Sequence, residues 1–498
     1  MASAESVAGG PASSSAAPQQ RLLKGQLSMP NCVALSAAVM APVLAVILNA
    51  PAAGPQAGAA LPLSFLVAFV ACFFVANTVI QFTKRLPSSG SFYTFCSHGL
   101  GGGAGFFTGW LYGGAFVALA VGLFTANGAF LHQYLLSEWH VHVAWWLLSL
   151  IEIALVFAFS LRSIKASVRI DLALLAFEMI VFLVLGIIAI ARAGGGNSVH
   201  YFSPSASPHH YGGVAIGVVF GILSFIGFES AAVLGEETRN ARRNIPRAVF
   251  GAMMIIGVFY VFMMYALAAG YHLNDATQMK AFLGDATPFP TLADRYASWM
   301  TQIVDIAAVL GLFSCFLAVQ NATVRVIFAM GRERVLPPAL GRVHSKFHSP
   351  YIAIYTLTMS SIAIGIGLSA WLGNGVTDVY GWTGSIGTVA IVIVYMMANL
   401  ALIRFFARDA ERSIFLHVVL PILGIAALAY PLYFVAKPGQ PYPYNLVPYV
   451  VLVWIVLGFA TYFYFRANSP EKLAAVGSVL AEEEDSDFAE GKLASAPI

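Results

Sequence analysis

Four carboxylates, Glu152, Glu178, Glu229 and Asp305, sit inside otherwise apolar stretches of the chain. An ionisable side chain at membrane depth costs about 2.5–3.5 kcal/mol even on the lenient insertion scale, so each is a functional-site candidate. Glu229 has the most telling setting, Ser224-Phe-Ile-Gly-Phe-Glu-Ser230, where Gly227 interrupts a run long enough to cross a bilayer. Irregular backbone at that depth survives only where it is buried in protein or lines a cavity. Glu178 lies in Leu174-Leu-Ala-Phe-Glu-Met-Ile180. No Lys or Arg falls in the middle of an apolar run, so protonation or a cationic ligand is the cheaper way to hold these acids. Glu178 and Glu229 are therefore candidate proton-coupling residues. Each also has a plainer role: Glu229 as a cap accepting amides freed by the break, Glu178 as a partner of a hydroxyl or backbone group. Glu152 and Asp305 read as structural. Asp171, beside Arg169, reads as a surface pair.

Other chemistries lack their residues. There is no G-x-S-x-G elbow, no H-E-x-x-H, and no phosphate-binding lysine after the glycine run 101–105. Cys32, Cys72, Cys96 and Cys315 lie in or beside apolar runs without metal-ligand spacing, and read as small buried hydrophobes. His132, His140, His142, His200, His209 and His210 fall in or near loops and read as solvated. No enzyme, metal or cofactor is expected, and energy must come from an ion or exchange gradient. The basic residues are interleaved with apolar runs instead of forming one patch, so no nucleic acid partner is expected.

The elements that hold the acids are membrane spans. Of 498 residues 59% are hydrophobic and 10% charged, with a mean hydropathy of +0.78; a soluble domain carries about 25% charged residues. Runs long enough to span (about 20 residues) predict twelve helices, near 32–52, 61–83, 104–127, 142–161, 169–191, 212–236, 247–271, 299–328, 350–371, 383–405, 415–436 and 446–466. With the N-terminus inside and the sides alternating, 22 of the 26 Lys and Arg fall inside. Only Arg192, Lys280, Arg295 and Lys437 fall outside, which the positive-inside rule rewards. The expected organisation is a disordered cytoplasmic tail over 1–28, a transmembrane transporter domain over 29–467, and an acidic cytoplasmic tail over 468–498. The expected location is a bacterial inner (plasma) membrane, with the lipid bilayer as a standing partner.

Two spans are interrupted. The first carries Met40-Ala-Pro-Val43 and the sixth carries Gly221 and Gly227. They are five spans apart, as inverted repeats of five helices plus two added helices would place them, and such a pair points to a transporter's substrate site. A half-helix beginning after a break offers amides and a positive dipole end; one ending before it offers carbonyls. A small zwitterion satisfies both, so an amino-acid-like substrate is expected. Its candidate contacts are Ala41, Pro42, Val43 and Leu44 in span one, and Ser224, Phe225, Gly227 and Phe228 in span six. Tyr112 on span three can lend a hydroxyl. Phe225 or Phe228 can form a lid, although packing is the default for a membrane Phe. Gly105, Gly109 and Gly113, four residues apart, read as a helix-packing face.

Several segments resemble the amino acid–polyamine–organocation superfamily of permeases. Phe225-Ile-Gly-Phe-Glu-Ser230, Gly235-Glu-Glu-Thr238 and Arg242-Arg-Asn-Ile-Pro-Arg-Ala-Val249 are similar to its sixth helix and following loop. Leu86-Pro-Ser-Ser-Gly-Ser-Phe-Tyr-Thr-Phe95 with Gly105-Phe-Phe-Thr-Gly-Trp110 is similar to its loop between helices two and three, continuing into helix three. Phe328-Ala-Met-Gly-Arg-Glu-Arg-Val-Leu-Pro337 with Ser349-Pro350 is similar to the loop after helix eight. The resemblance covers roughly residues 30–410. It implies an all-α, LeuT-type fold with helices 1 and 6 broken, a midplane substrate, and alternating access. It also implies a role in proton sensing for Glu229, and sets Glu178 where some relatives carry a lysine in place of a sodium ion. Two departures stand out: Ala41-Pro42-Val43-Leu44 replaces a Gly-Ser-Gly type of segment, and Leu223 stands where many members have an aromatic. The second makes stacking of a guanidinium less expected. The expected function is proton-coupled or exchange transport of amino acids. A polyamine or monoamine carrier of the same superfamily is the alternative, and a transporter-like sensor the reading from another class.

Overall fold

The protein is described from a computed structural model. It covers residues 27–470 apart from 87–89, 163, 234–237, 286, 333, 348 and 373–375, with side chains described outside 164–171 and 376–378. Most of both expected tails, the Arg169–Asp171 pair and parts of the quoted loop motifs lie outside the described residues.

The chain opens with α1 (Met29–Met40), the short α2 (Pro42–Leu44), a π-turn (Ala45–Asn49) and α3 (Ala50–Ala57). It continues through α4 (Leu61–Arg85), α5 (Phe92–Leu100), α6 (Gly102–Trp139), α7 (Trp145–Ser160) and α8 (Ile164–Arg192). Next come α9 (His210–Phe225), α10 (Ser230–Val233), α11 (Ala241–Tyr271), α12 (Ala276–Leu283), α13 (Pro288–Ala297) and α14 (Thr301–Arg332). It closes with α15 (Tyr351–Leu372), α16 (Val376–Phe405), α17 (Leu420–Ala436) and α18 (Val447–Asn468). Among the described residues the only β pairing is an isolated bridge, Leu27 with Thr238. Ten helical stretches there are long and apolar enough to cross a membrane, and Trp145–Ser160 is a shorter apolar one.

Local sequence sets the ends. Helix α4 has proline in its first turn and Lys84 and Arg85 in its last, the charge its dipole favours. Arg85 then ion-pairs with Asp409, at 3.5 Å, and with Glu411, fastening the end of α4 to the loop before α17. Asp275 caps α12 by accepting from the Thr277 and Gln278 amides at 2.8 and 3.0 Å, which holds its carboxyl below the usual carboxylate range. Helix α6 runs 38 residues, well past the expected 104–127, since nothing breaks it before His140 turns left-handed at φ 53°.

Helix α6 is the central post, packed by α5, α7, α14, α15, α16 and α18. Against α18 it forms a reciprocal clasp: Trp110 and Trp454 stack at 4.5 Å, and each indole N–H donates to the other's carbonyl, at 3.0 and 3.2 Å. Two of the three expected glycines pack closely: a Cβ on Gly105 would lie 1.8 Å from Ser97 Oγ and one on Gly109 2.6 Å from the Tyr93 ring, both on α5, whereas one on Gly113 would meet Met330 Sδ of α14 at an ordinary 3.7 Å. The other group is α1, α4, α9 and α11, in which α4 packs on both α9 and α11, and α1 on α11. Glu229 lies where the two groups meet, between the turn after α9 and helices α6 and α16.

Candidate functional site

Both expected breaks are present. In the first, Ala41 takes left-handed backbone (φ 51°, ψ 70°) and Pro42 starts the next segment at a position that needs no amide. The helix is therefore interrupted one residue earlier than Pro42 itself, because a proline pushes its predecessor out of helical backbone. In the second, α9 ends at Phe225, residues 226–229 form a turn with Gly227 at φ 108°, and α10 begins at Ser230.

The polar groups freed by the breaks are tied together. Ser36 Oγ donates to Phe228 O and accepts from the Ala231 amide, both at 2.9 Å, joining α1 to the far side of the α9 break. Cys32 Sγ lies 3.3 Å from Thr238 Oγ1, and the Arg239 amide donates to Leu27 O at 3.0 Å, extending that seam. The hydroxyl of Tyr260 on α11 reaches the carbonyls that close both first halves, Met40 O and, at 2.8 Å, Ser224 O. Tyr260 is fully buried. Tyr260→Phe leaves both carbonyls without that donor, and is expected to lower the stability of the purified protein by about 1–3 kcal/mol. A denaturation midpoint equal to that of the parent would remove Tyr260 from this role.

Glu229 is fully buried. Its Oε1 accepts from the Tyr112 hydroxyl at 2.8 Å, and its Oε2 from the Gly227 amide at 3.1 Å and the Tyr395 hydroxyl at 3.2 Å. The carboxylate thus performs the capping role and also links α6, the α9 break and α16. Tyr112 commits its hydroxyl to Glu229 and lines neither cavity described next. Glu178 is buried against the first break: a Cβ on Gly311 of α14 would lie 2.2 Å from its Oε2 and 2.9 Å from Val43 Cβ. Glu152 accepts from Asn127 at 2.7 Å, and the same amide donates to Leu312 O at 2.9 Å, a structural tie. Asp305 is buried on α14 and belongs to neither cavity described next.

Between the breaks lies an inner cavity of about 30 Å³. The breaks contribute Val39, Met40, Ala41, Leu44, Leu223 and Ile226; α6 contributes Phe116, Leu119 and Leu123; Cys315, Val319 and Tyr380 complete it. A second cavity of about 500 Å³ is lined by α3 residues such as Pro51 and Gln56, by Ile216, Val219 and Phe220, and by Tyr380, Gln440 and Tyr444. Neither lining contains a charged side chain among the described residues.

Of the expected substrate contacts, Ala41 and Leu44 line the inner cavity. Pro42, Val43 and Gly227 shape the breaks without lining it, and Ser224 turns its hydroxyl to Phe220 O, at 2.8 Å. Phe225 stacks on Phe69 (5.8 Å) and packs edge-on to Tyr260 (5.0 Å), while Phe228 packs on Tyr395 (5.5 Å). Both rings therefore face neighbouring helices, and neither is a lid in this conformation. The lining residues missed are Val39, Met40, Leu223 and Ile226 beside the breaks and those from α6, α14 and α16. The heptad-like spacing of Phe116, Leu119 and Leu123 marks one face, but nothing in the sequence says that this face meets a cavity.

Apolar helices enclosing two facing helix breaks and a chamber without charge make a multi-pass membrane protein that can hold a small ligand away from lipid. A model of the amino acid permease family matches residues 37–474, and the chain belongs to that family. It is similar to the branched-chain amino acid permease BcaP of Bacillus subtilis, 28% identical over 432 residues, 82% of this chain and 86% of the relative. It is similar as well to the methylthioribose transporter of Bacillus subtilis, 24% identical over 430 residues, 82% of this chain and 87% of the relative. The low-affinity putrescine importer PlaP of Escherichia coli is 26% identical over 311 residues, 61% of this chain and 66% of the relative.

Proposed function

We propose that the protein is a secondary transporter that carries amino acids with aliphatic side chains across the plasma membrane by alternating access. The observation that carries this is the inner cavity, set between two helix breaks and lined mainly by Leu, Val, Ile, Met and Phe. The side chain of the substrate takes the apolar wall. Its carboxylate meets the amides that begin the helical segment after Pro42, and its ammonium meets the carbonyls now shared by Tyr260. A cavity of about 30 Å³ admits water and not an amino acid. The described conformation is closed at the site, and binding must separate the breaks.

The architecture we propose is twelve spans. Met29–Arg85, at 57 residues, is too long for one crossing of a core about 30 Å thick, and Gly58, at φ 57°, divides it in two. Adding Trp145–Ser160 gives the twelve, arranged as inverted repeats of five with two further helices and both termini cytoplasmic. The domain limits of 29 and 467 and the two cytoplasmic tails belong to the same proposal.

Coupling is proposed to run through a proton or a counter-substrate. Protonating Glu229 would turn one acceptor oxygen into a donor, so Tyr112 or Tyr395 would have to reverse its hydroxyl to accept, and the bonds that now join α6, the α9 break and α16 would lose their charged acceptor and weaken. Glu178, against Val43 and Gly311, is the second candidate. The resemblance to PlaP keeps polyamines in the test, although a dication would find no acid in either cavity lining.

Uptake into proteoliposomes under an inward acid gradient, with leucine, isoleucine and valine set against putrescine, decides between them. Accumulation of the aliphatic amino acids, uncompeted by putrescine, is the expected result. Putrescine uptake without leucine uptake would overturn the assignment, and binding without flux of any kind would favour a sensor.

A further inference from the structure

Among the described residues Tyr380 alone lines both cavities. Its ring is buried on α16 and sits where the large vestibule gives way to the inner cavity. Helix α6 fixes it from behind: a Cβ on Gly122 would lie 3.3 Å from the ring at Cδ2 and 3.5 Å from the Tyr380 Cα. The hydroxyl end is fastened too. It donates to Asn49 Oδ1 at 2.8 Å, Asn49 Nδ2 donates to Ser224 Oγ at 2.8 Å, and Ser224 Oγ donates to Phe220 O at 2.8 Å. One chain of hydrogen bonds thus runs from α16 through the segment after the first break to the helix before the second.

We propose that Tyr380 is the partition between vestibule and inner cavity, latched shut through Asn49 and Ser224 and released when the two broken helices part. The ring bars passage, and the latch makes its position depend on both breaks at once. A substrate that draws Asn49 or Ser224 aside removes the acceptor of the hydroxyl or its support. Tyr380 is a positioning residue in this role: it controls access to the cavity without having to contact the bound substrate.

Cys315 supplies the readout, because its thiol lines the inner cavity and no disulfide holds it. Cys72, buried on α4 and in neither lining, is the internal reference. Full-length protein in lipid nanodiscs is treated with a water-soluble methanethiosulfonate, and modification is followed peptide by peptide by mass spectrometry. Tyr380→Phe, which keeps the ring and loses the latch, is expected to speed labelling of Cys315 roughly fivefold, and Tyr380→Ala roughly tenfold or more, with Cys72 unchanged. Unchanged Cys315 labelling in both variants would overturn the partition. So would a parallel rise at Cys72, which would mean general loosening of the fold. If the Ala variant does not fold, the Phe variant decides alone. The partition rests on the proposed path through the two cavities, but labelling needs no transport. A chain that fails to carry amino acids yet shows the Tyr380 effect loses the substrate assignment and keeps the gate.

Discussion

Uptake by Glu229→Gln should no longer respond to pH, and should run on the order of tenfold slower than that of the parent protein. The wild-type carboxylate accepts from Tyr112, Tyr395 and the Gly227 amide. Glutamine keeps the shape, but offers one carbonyl oxygen and one amino group. Placed toward Tyr112, the amino group obliges that hydroxyl to reverse and accept, and all three bonds become neutral ones worth about 0.5–1.5 kcal/mol each in place of the about 1.5–3 kcal/mol of bonds to a charged acceptor. The same neutrality fixes the site in its protonated-like state. The pH profile therefore goes flat across the acid-to-neutral range, and the rate settles at one value. Glu178→Gln, measured alongside, tells which acid carries the coupling. If it flattens the profile and Glu229→Gln does not, the proton belongs to Glu178 and Glu229 is a cap. Parallel, unchanged profiles in both variants would falsify proton coupling through these acids and leave exchange.

Gly227→Ala is expected to cost more stability than any other single methyl added near the site. Gly227 holds φ 108°, which an L side chain adopts only under strain of about 1–3 kcal/mol. The added Cβ would also sit 2.2 Å from Val39 Cγ1, 2.8 Å from Val39 Cβ and 3.1 Å from the Val39 carbonyl carbon. Overpacking of that kind costs about 1–3 kcal/mol more, and the backbone of α1 cannot swing aside as a flexible side chain would. A loss of about 4 kcal/mol in a denaturant titration, with transport abolished, follows from the sum. Val39→Ala in the Gly227→Ala background removes the 2.2 Å contact with Cγ1 and leaves the 2.8 Å contact with Cβ and the backbone strain, so it should restore only part of the loss. Full restoration would place the whole effect in packing, and a Gly227→Ala protein as stable as the parent would show that the turn can be rebuilt without glycine.

The sequence carried the fold further than the site, and the reason is physical. Spans announce themselves by length and apolarity alone, and the two breaks by residue types with fixed backbone habits. Pro42 excludes helical backbone at Ala41, and Gly227 admits the positive φ that few others tolerate. The carboxylates were legible since burial of charge is costly wherever it occurs. The cavity wall was not. Phe116, Leu119, Leu123, Leu223 and Val319 are apolar residues in helices apolar all round, and for such helices periodicity cannot tell a face toward a neighbour from a face toward a void. Tyr380 and Asn49 were hidden for another reason: they lie 331 residues apart, and their hydrogen bond exists only once α16 is folded against the first span. Phe225 and Phe228 follow the packing expected of a membrane Phe by default, but which rings they meet was equally hidden, because Phe69, Tyr260 and Tyr395 come from elsewhere in the chain.

The seam formed by Ser36, Cys32 and Leu27 bears on how many parts of the molecule can move independently. Two interrupted helices would ordinarily give two separately swinging halves, with four combinations of position. Stitched at three levels, α1 and the segment beyond the second break share a single coordinate. Mixed arrangements, with one half displaced and the other in place, require those stitches to be broken and drop out of the thermal ensemble. A distance probe placed on either half is then expected to report the position of both, and probes that move independently would show that the stitches do not couple them.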